Sequence, residues 1–546
     1  MQKTMTPKIL LVFFLFFIAN INGQKTLFSE VSDQIGLSYH YPGNDFQLFG
    51  GGIMVFDFNN DGWEDVFQPG GIFVSKLWMN NKGKFVDVTT KYGLDSLLGY
   101  NVLSAVSADY DNDGFQDFFI ANYGTGFGRG DKKAPALLRN KKGKGFEMIH
   151  LNEILPVGHY SAACWGDVNK DGFSDLYITN YIGNMGELSD TSGKVIGYDP
   201  ICLENRLLIN QKGKGFVEAA QLYGVNDFGC GFTASFTDAD NDGDQDLLLL
   251  NDFGEWTKIG NKFYRNDFPL ATFTDVSETS GFSKLMYGMG IGQSDYDGDG
   301  DFDYYVTNIG KNYFFNNTNG IFTDVSKSMN LELTYEKDSI KGTSWSPLFF
   351  DSDLDGDLDL YVAKGNIPTL VPVTVVKDAN KFFINENGVF INTSAGSGMD
   401  DILSHRGSAT FDYDHDGDLD IISAVVKLPW GAFANREQKL KFFQNGMPQG
   451  NFVGIKLVGE NDINKDAFGC KVLFEQNGLK MLKEVDGGSG HASQSTRILY
   501  FGLGTATTLQ KATIYWINGE QIILENLKSG LIYEVHSNKK VKLIKQ

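Results

Sequence analysis

Cysteine, histidine and positive charge are all scarce in this chain. Four cysteines in 546 residues are too few for a disulfide scaffold, and their spacing is not that of a thiolate zinc cluster. Cys164 lies in an apolar run and reads as a small buried hydrophobe, while Cys202 and Cys230 leave one pairing open. Only 47 Lys and Arg stand against 68 Asp and Glu, a formal charge of −21. The absence of a basic stripe argues against a nucleic-acid or other polyanion binder. A nucleophile elbow, an HExxH zinc helix, a phosphate-binding glycine loop and recognisably paired catalytic carboxylates are absent as well. Beyond the first 23 residues, no stretch is apolar enough to span a membrane.

Those first residues pair a basic start (Lys3, Lys8) with an apolar core, Ile9 to Ala19, too short to span comfortably. Small and polar residues follow as far as Gly23. Residues 1–23 are therefore expected to be a secretory signal peptide, placing the mature chain in a secreted, periplasmic or cell-surface location.

What the chain has in abundance is aspartate at fixed intervals. An acidic nonapeptide occurs seven times, starting at Asp57, Asp109, Asp167, Asp238, Asp295, Asp351 and Asp412. Oxygen side chains occupy positions 1, 3, 5 and 9, and glycine always stands at position 6. The expected metal ligands are Asp57, Asn59, Asp61 and Asp65 in loop one, and Asp109, Asp111, Asp113 and Asp117 in loop two. Loop three offers Asp167, Asn169, Asp171 and Asp175; loop four offers Asp238, Asp240, Asp242 and Asp246. Loops five and six offer Asp295, Asp297, Asp299, Asp303 and Asp351, Asp353, Asp355, Asp359; loop seven offers Asp412, Asp414, Asp416 and Asp420. Position 7 varies (Trp63, Phe115, Phe173, Asp244, Asp301, Asp357, Asp418), which fits ligation by its backbone carbonyl alone.

Such alternation turns several oxygens onto a hard cation, and calcium is expected, up to seven ions. An EF-hand is excluded, because position 12 never carries its bidentate Glu (Gln68, Ile120, Ile178, Leu249, Val306, Val362, Ser423). The flanks are strand-like, as in 118–120 and 304–306. Of the 68 acidic residues, 26 are loop aspartates at positions 1, 3, 5 or 9, so the acidity is mostly local metal chemistry. Export fits, since weak sites of this kind need extracellular calcium.

Loop starts are 52, 58, 71, 57, 56 and 61 residues apart, a period of repeated supersecondary units. After each loop comes an aromatic strand ending in Asn, as at Leu77–Asn80, Phe263–Asn266, Tyr313–Asn316 and Phe442–Asn445. A glycine turn and an F-x-D/E-V strand follow, as at Phe85–Val88 and Phe273–Val276. The last unit lacks that strand, and an orphan copy stands at Phe28–Val31, where it would complete the last unit. Four short strands per unit and this exchange predict an all-β fold: a seven-bladed β-propeller over 24–446. Insertions at 184–202 and Gly365–Lys377, and the glycine-rich Gly124–Lys132, are placed to form rims. From residue 447 to 546 the acidic loop disappears and alternating strands predict a small β-sandwich-like domain.

The loops, together with Asn451–Leu457, Ala467–Lys471, Glu484–Ser495, Tyr500–Gly504 and Tyr515–Gln521, resemble a known combination. It is that of calcium-binding FG-GAP-like (VCBS-type) repeats followed by an ASPIC/UnbV domain, found in the cartilage acidic protein family and its bacterial secreted relatives. The resemblance implies an integrin-α-like extracellular propeller with calcium, and no secure activity. Asn59 and Asn169 depart from the acidic pattern and imply weaker binding in loops one and three.

Outside the metal loops, candidate ligand-binding residues are Trp256 and Trp430, flat aromatics in inter-strand connections, and the polar group His491, Gln494 and Arg497. The expected function is an extracellular binding or adhesion module for a glycan or protein. The alternatives are a carbohydrate-active enzyme or its accessory subunit, and a purely structural extracellular protein.

Overall fold

A computed structural model describes residues 26–38, 51–124, 131–333, 342–367, 378–426, 439–447 and 450–544. The signal-peptide segment, Trp430 and most of Gly365–Lys377 lie outside the described residues. Seven four-stranded antiparallel sheets occupy residues 28–445. The first comprises Met54–Phe56, Asp65–Gln68, Lys76–Asn80 and Phe85–Asp87, paired in chain order. Sheets two to six begin at Val102, Tyr160, Gly231, Ile291 and Ser344. Each metal loop connects the first strand of its sheet to the second, so position 9 is already the opening residue of a strand.

The seventh sheet takes three strands from His405–Phe411, Asp420–Val425 and Lys439–Asn445, and its fourth from Phe28–Glu30. Phe28 pairs with Asn445 and Glu30 with Phe443. The orphan strand thus lands where the repeat pattern places it, and it covers a sheet edge.

The expected closed β-propeller is corrected. Every strand of the repeat region lies in an open sheet with two edges, and none of these sheets is curled or closed on itself. The fold is an all-β array of repeated open four-stranded antiparallel sheets. The physical reason lies in the connections. The chain leaves each outer strand through a turn and starts a new sheet, and among the described residues only isolated bridges, such as Gly71 with Val102, carry strand pairing from one sheet to the next.

The 184–202 insertion forms a two-stranded ribbon, Ile182–Ser189 against Val195–Cys202. A disulfide between Cys202 and Cys230 ties it to the fourth sheet, while Cys164 and Cys470 are free and buried.

Residues 451–544 form two further four-stranded sheets. One orders Leu499–Gly504, Asn451–Val458, Leu531–His536 and Val541–Ile544, with the middle pair parallel. The other orders Leu479–Glu484, Lys471–Gln476, Thr508–Tyr515 and Gln521–Lys528. Asn477 and Gly478 both take left-handed backbone angles (φ 51° and 91°), the requirement of a tight two-residue hairpin turn. This region is not a detached module: Val106, Phe119 and Trp165 of the repeats share one apolar core with Val453, Phe474, Phe501 and Trp516.

The segment 487–496 touches the first strand of each of the seven sheets. Gln494 bridges to Met54 in the first sheet, accepting from Val55 N at 3.0 Å and donating to Ile53 O at 2.8 Å. Its side chain accepts from Ser107 N (2.8 Å) and Oγ (2.9 Å) and donates to Ser107 O (3.1 Å) in the second. Trp165 N of the third donates to Gly487 O at 3.1 Å, and Gly490 exchanges two backbone bonds with Ile291 of the fifth. The His491 ring packs between Phe232 of the fourth sheet and Trp345 of the sixth. Thr410 N of the seventh donates to Ser495 Oγ at 3.1 Å. Glycine is required where this segment passes closest: a Cβ on Gly52 would sit 1.6 Å from Ala492 O.

Candidate metal centre

The seven loops share one local construction. The position-6 amide donates to the position-1 carboxylate in every copy, from Gly114 to Asp109 at 2.7 Å through Gly300 to Asp295 at 3.3 Å. The position-6 glycines all have φ between 85° and 103°. Position 4 is left-handed too (Asn60, Asn112, Lys170, Asn241, Gly298, Leu354, His415), which explains its preference for Asn and was missed in the sequence. The position-7 amide donates to the position-5 carboxylate, for example Trp63 N to Asp61 at 2.9 Å and Phe115 N to Asp113 at 3.1 Å. Phe173, Asp244, Asp301, Asp357 and Asp418 do the same.

The strand-ending asparagines lock the loops to the sheets. Backbone amides of Asn80, Asn140, Asn210, Asn266, Asn317, Asn385 and Asn445 donate to the position-9 carboxylates at 2.6–2.9 Å. Six of their side chains also donate to a carbonyl at or beside the neighbouring sheet's loop, such as Asn140 Nδ2 to Phe58 O at 2.8 Å and Asn445 Nδ2 to Ser352 O at 2.7 Å. Asn317, not Asn316, takes this role in the fifth sheet, whose strand runs Tyr313–Thr318. Asn140 belongs to the same set, although its strand is less aromatic.

Five loops bring three carboxylates together, with one oxygen of each lying within 4.8 Å of the others. They are Asp109, Asp111, Asp117; Asp238, Asp240, Asp246; Asp295, Asp297, Asp299; Asp351, Asp353, Asp355; and Asp412, Asp414, Asp420. Buried oxygens of Asp111, Asp117, Asp238 and Asp414 have no hydrogen-bond partner. Burial, reinforced by neighbouring carboxylates, pushes Asp109 and Asp412 up to about 8 and Asp117 and Asp303 up to about 9. Asp65, Asp175, Asp246, Asp359 and Asp420 are raised well above the ordinary range, first by burial. Crowded, desolvated, unpartnered oxygen donors fit a hard divalent cation such as calcium, which would supply the missing positive charge.

Loops one and three differ, and among the described residues neither gathers such a triple. Asn59 Nδ2 donates to Asp61 Oδ2 at 2.9 Å and its Oδ1 accepts from Asp61 N at 3.0 Å. Asn169 Oδ1 accepts from Asp171 N at 3.1 Å. An amide at position 3 satisfies its own loop.

The C-terminal region sits directly on the loops. Position-1 aspartates of loops three to seven accept from Asn464 Nδ2, Lys471 Nζ, Leu482 N, Gly502 N and Tyr500 Oη, at 3.4, 2.5, 2.8, 2.9 and 3.3 Å. In loop two the backbone N of Asp109 donates to Asp466 at 2.6 Å, and Glu64 of loop one accepts from Thr496 Oγ1 at 2.8 Å. Every loop is therefore tied to the chain's last hundred residues.

The residues expected to bind a ligand are not gathered into one site. His491 and Gln494 are buried in segment 487–496, where His491 Nδ1 pairs with Met289 O at 3.0 Å. Arg497 forms an ion pair with Asp466 and lies over the Phe468 ring. Trp256 is half-buried beneath the inserted ribbon, its Nε1 donating to Tyr287 Oη at 2.7 Å and its ring edge-on to Tyr198. Trp430 lies outside the described residues.

An FG-GAP-like repeat model matches residues 57–120, 109–178 and 295–362, and an "ASPIC and UnbV" model matches residues 460–542. Cartilage acidic protein 1 of Xenopus tropicalis is 24% identical over 543 residues, covering 93% of this chain and 76% of that protein. The protein of the same name from Homo sapiens is 23% identical, covering 97% of this chain and 78% of its own length. Among solved structures, an Agrocybe aegerita lectin that recognises non-reducing terminal N-acetylglucosamine is 16% identical. It covers 63% of this chain and 79% of its own, with a TM-score of 0.37, a likeness too weak to argue from.

Proposed function

From the premise that this chain joins FG-GAP-like repeats to a C-terminal ASPIC/UnbV domain and is homologous to cartilage acidic protein across much of its length, we propose that it is a calcium-stabilised extracellular recognition module. Its target is a glycan or protein. The observation that carries this is the set of five three-carboxylate clusters, three of which, in loops two, four and seven, keep a buried oxygen without a hydrogen-bond partner. Such loops are costly in a cell interior poor in calcium and inexpensive outside it. The Cys202–Cys230 disulfide supports an oxidising compartment, as does the basic-then-apolar start of the chain. No helix among the described residues is long and apolar enough to cross a membrane.

Calcium occupies the five acidic loops first, and loops one and three more weakly, for a total of up to seven ions. The position-7 carbonyls complete each shell. The cations hold the loops in shape, and through the position-1 aspartates they hold the C-terminal region on the sheets. Recognition then belongs to a rigid surface.

Two measurements test this. Elemental analysis of the dialysed protein should find at least five calcium ions per chain, and calorimetry should show a lower unfolding temperature after chelation. Binding of the calcium-loaded chain to arrays of extracellular glycans and proteins, with product analysis of each hit, tests recognition. Fewer than two ions and an unchanged transition would sink the metal role; new chain ends on a bound glycan would make the protein an enzyme.

A further inference from the structure

A cleft of about 570 Å³ opens where the tips of loops three to five meet the C-terminal domain. Lys170 and Asn241, the position-4 residues of loops three and four, form one wall together with the rim aromatic Phe268. Tyr515 and Trp516 form part of the other. This volume lies in the ~300–1,000 Å³ range of small-molecule sites. Resting on the recognition-module reading above, we infer that this cleft binds an acidic saccharide, a short sugar chain carrying a carboxylate or sulfate.

Three features select that class. The first is aromatic surface. Phe268 is 39% exposed at the rim and Tyr515 is half-buried, so ring faces are available to the apolar C–H face of a pyranose. The second is an unmet donor. Trp516 is only 2% exposed, yet its buried Nε1–H has no hydrogen-bond partner. A buried donor left unpaired is unfavourable, and a sugar hydroxyl or ring oxygen entering the cleft satisfies it.

The third is charge. Lys170 Nζ stands 4.9 Å from the Phe268 ring centre and donates to Gly243 O at 2.9 Å, which fixes an ammonium at the rim. Lys471 lies on the same cleft and reaches Asp238 of loop four at 2.5 Å. A divalent ion on loop four would offset the charge of Asp238, the carboxylate that Lys471 pairs with, and so leave this ammonium unneutralised at the cleft. Asp242 is the carboxylate among the lining residues, and it belongs to that same metal loop. Calcium binding therefore leaves the cleft with net positive charge, and a neutral sugar leaves that charge unpaired.

The test uses the full chain labelled with 5-fluorotryptophan, in excess calcium. The Trp516 fluorine resonance is assigned by its absence in Trp516→Phe. Trigalacturonate, sialyllactose and a sulfated glycosaminoglycan disaccharide are titrated, with lactose as the neutral control. At least one acidic probe should shift the Trp516 signal, bind at least tenfold more tightly than lactose, and lose affinity at least tenfold in Phe268→Ala. That rim substitution should leave the unfolding temperature unchanged. Chelation should weaken the acidic probe at least fivefold.

Equal binding of lactose overturns the acidic class, and binding that ignores Phe268→Ala or leaves the Trp516 signal still overturns the site. If no probe binds at millimolar concentration while calcium still raises the unfolding temperature, the cleft proposal falls and the module reading stands. If calcium has no such effect, the module reading itself fails.

Discussion

Loops one and two have the same length, the same glycine and the same asparagine lock, and differ most at position 3. In loop one Asn59 pairs with Asp61 through both amide atoms, so position 3 carries neither a charge nor an unpartnered oxygen. In loop two Asp111 spends one oxygen on Arg139 at 2.6 Å and leaves the other buried and unpartnered, beside the raised Asp109 and Asp117. One amide for one carboxylate separates a turn that closes itself from a turn that waits for charge. On the proposed reading the acidic loops gain more from calcium, because their unpartnered oxygens are left without a counter-charge in its absence.

The largest expected effect breaks the acidic class as a whole. Chelation should lower the unfolding temperature by roughly 10 °C, since several sites each contribute about 2–3 kcal/mol at calcium well above Kd. A calorimetric shift under about 2 °C would contradict the role of these loops. A reciprocal exchange comes next. Asp111→Asn should remove one bound ion and lower the calcium-loaded transition by about 2 °C, while stabilising the metal-free chain. Asn59→Asp should do the reverse on both counts. Ion counting and calorimetry of the pair check this, and shifts of the same sign in the two variants refute it.

Acidity sharpens the contrast further. Asp109, Asp117 and Asp303 are raised above the ordinary carboxylate range, so in the metal-free chain their contribution is complete below about pH 4 and is lost as pH rises through about 8–9. Calcium needs them ionised. Its stabilising effect should therefore grow from pH 5 to pH 8, and a constant effect over that window would count against buried, cation-starved carboxylates. The smallest effect concerns loop four alone. Lys471→Met removes the ammonium that competes for Asp238, and calcium affinity there should rise about threefold, the scale of a partly exposed ion pair. Isothermal titration of the variant checks it; weaker calcium binding would show that Lys471 supports the site.

What the sequence reveals follows how local the cause is. The nine-residue loop, its glycine and the strand at position 9 are set by neighbours a few residues apart, and they are legible. The displaced strand at Phe28 is legible because its motif is missing at one end and spare at the other. Sheet closure is not a local property, and the four-strand units with their exchanged end strand pointed to a seven-bladed propeller that the open sheets do not form. His491 and Gln494, read from the sequence as part of a candidate ligand-binding polar group, sit in a glycine- and serine-rich stretch. Their burial depends on distant partners such as Ser346 for His491 and Ser107 for Gln494, 145 and 387 residues away. The cleft was invisible for the same reason, since Lys170, Phe268 and Trp516 meet only after both regions have folded.

Segment 487–496 also constrains the order in which the protein can be made. A ribosome delivers Phe28 almost at once, but its strand partner at residue 445 arrives some four hundred residues later, and Gln494 later still. Until then Ile53, Val55 and Ser107 lack the bonds they make to it. Contacts of such long sequence separation are slow to close. A chain cut short after the seventh sheet would lack every bond to residues 487–496 and the contacts that the C-terminal region makes to the loops.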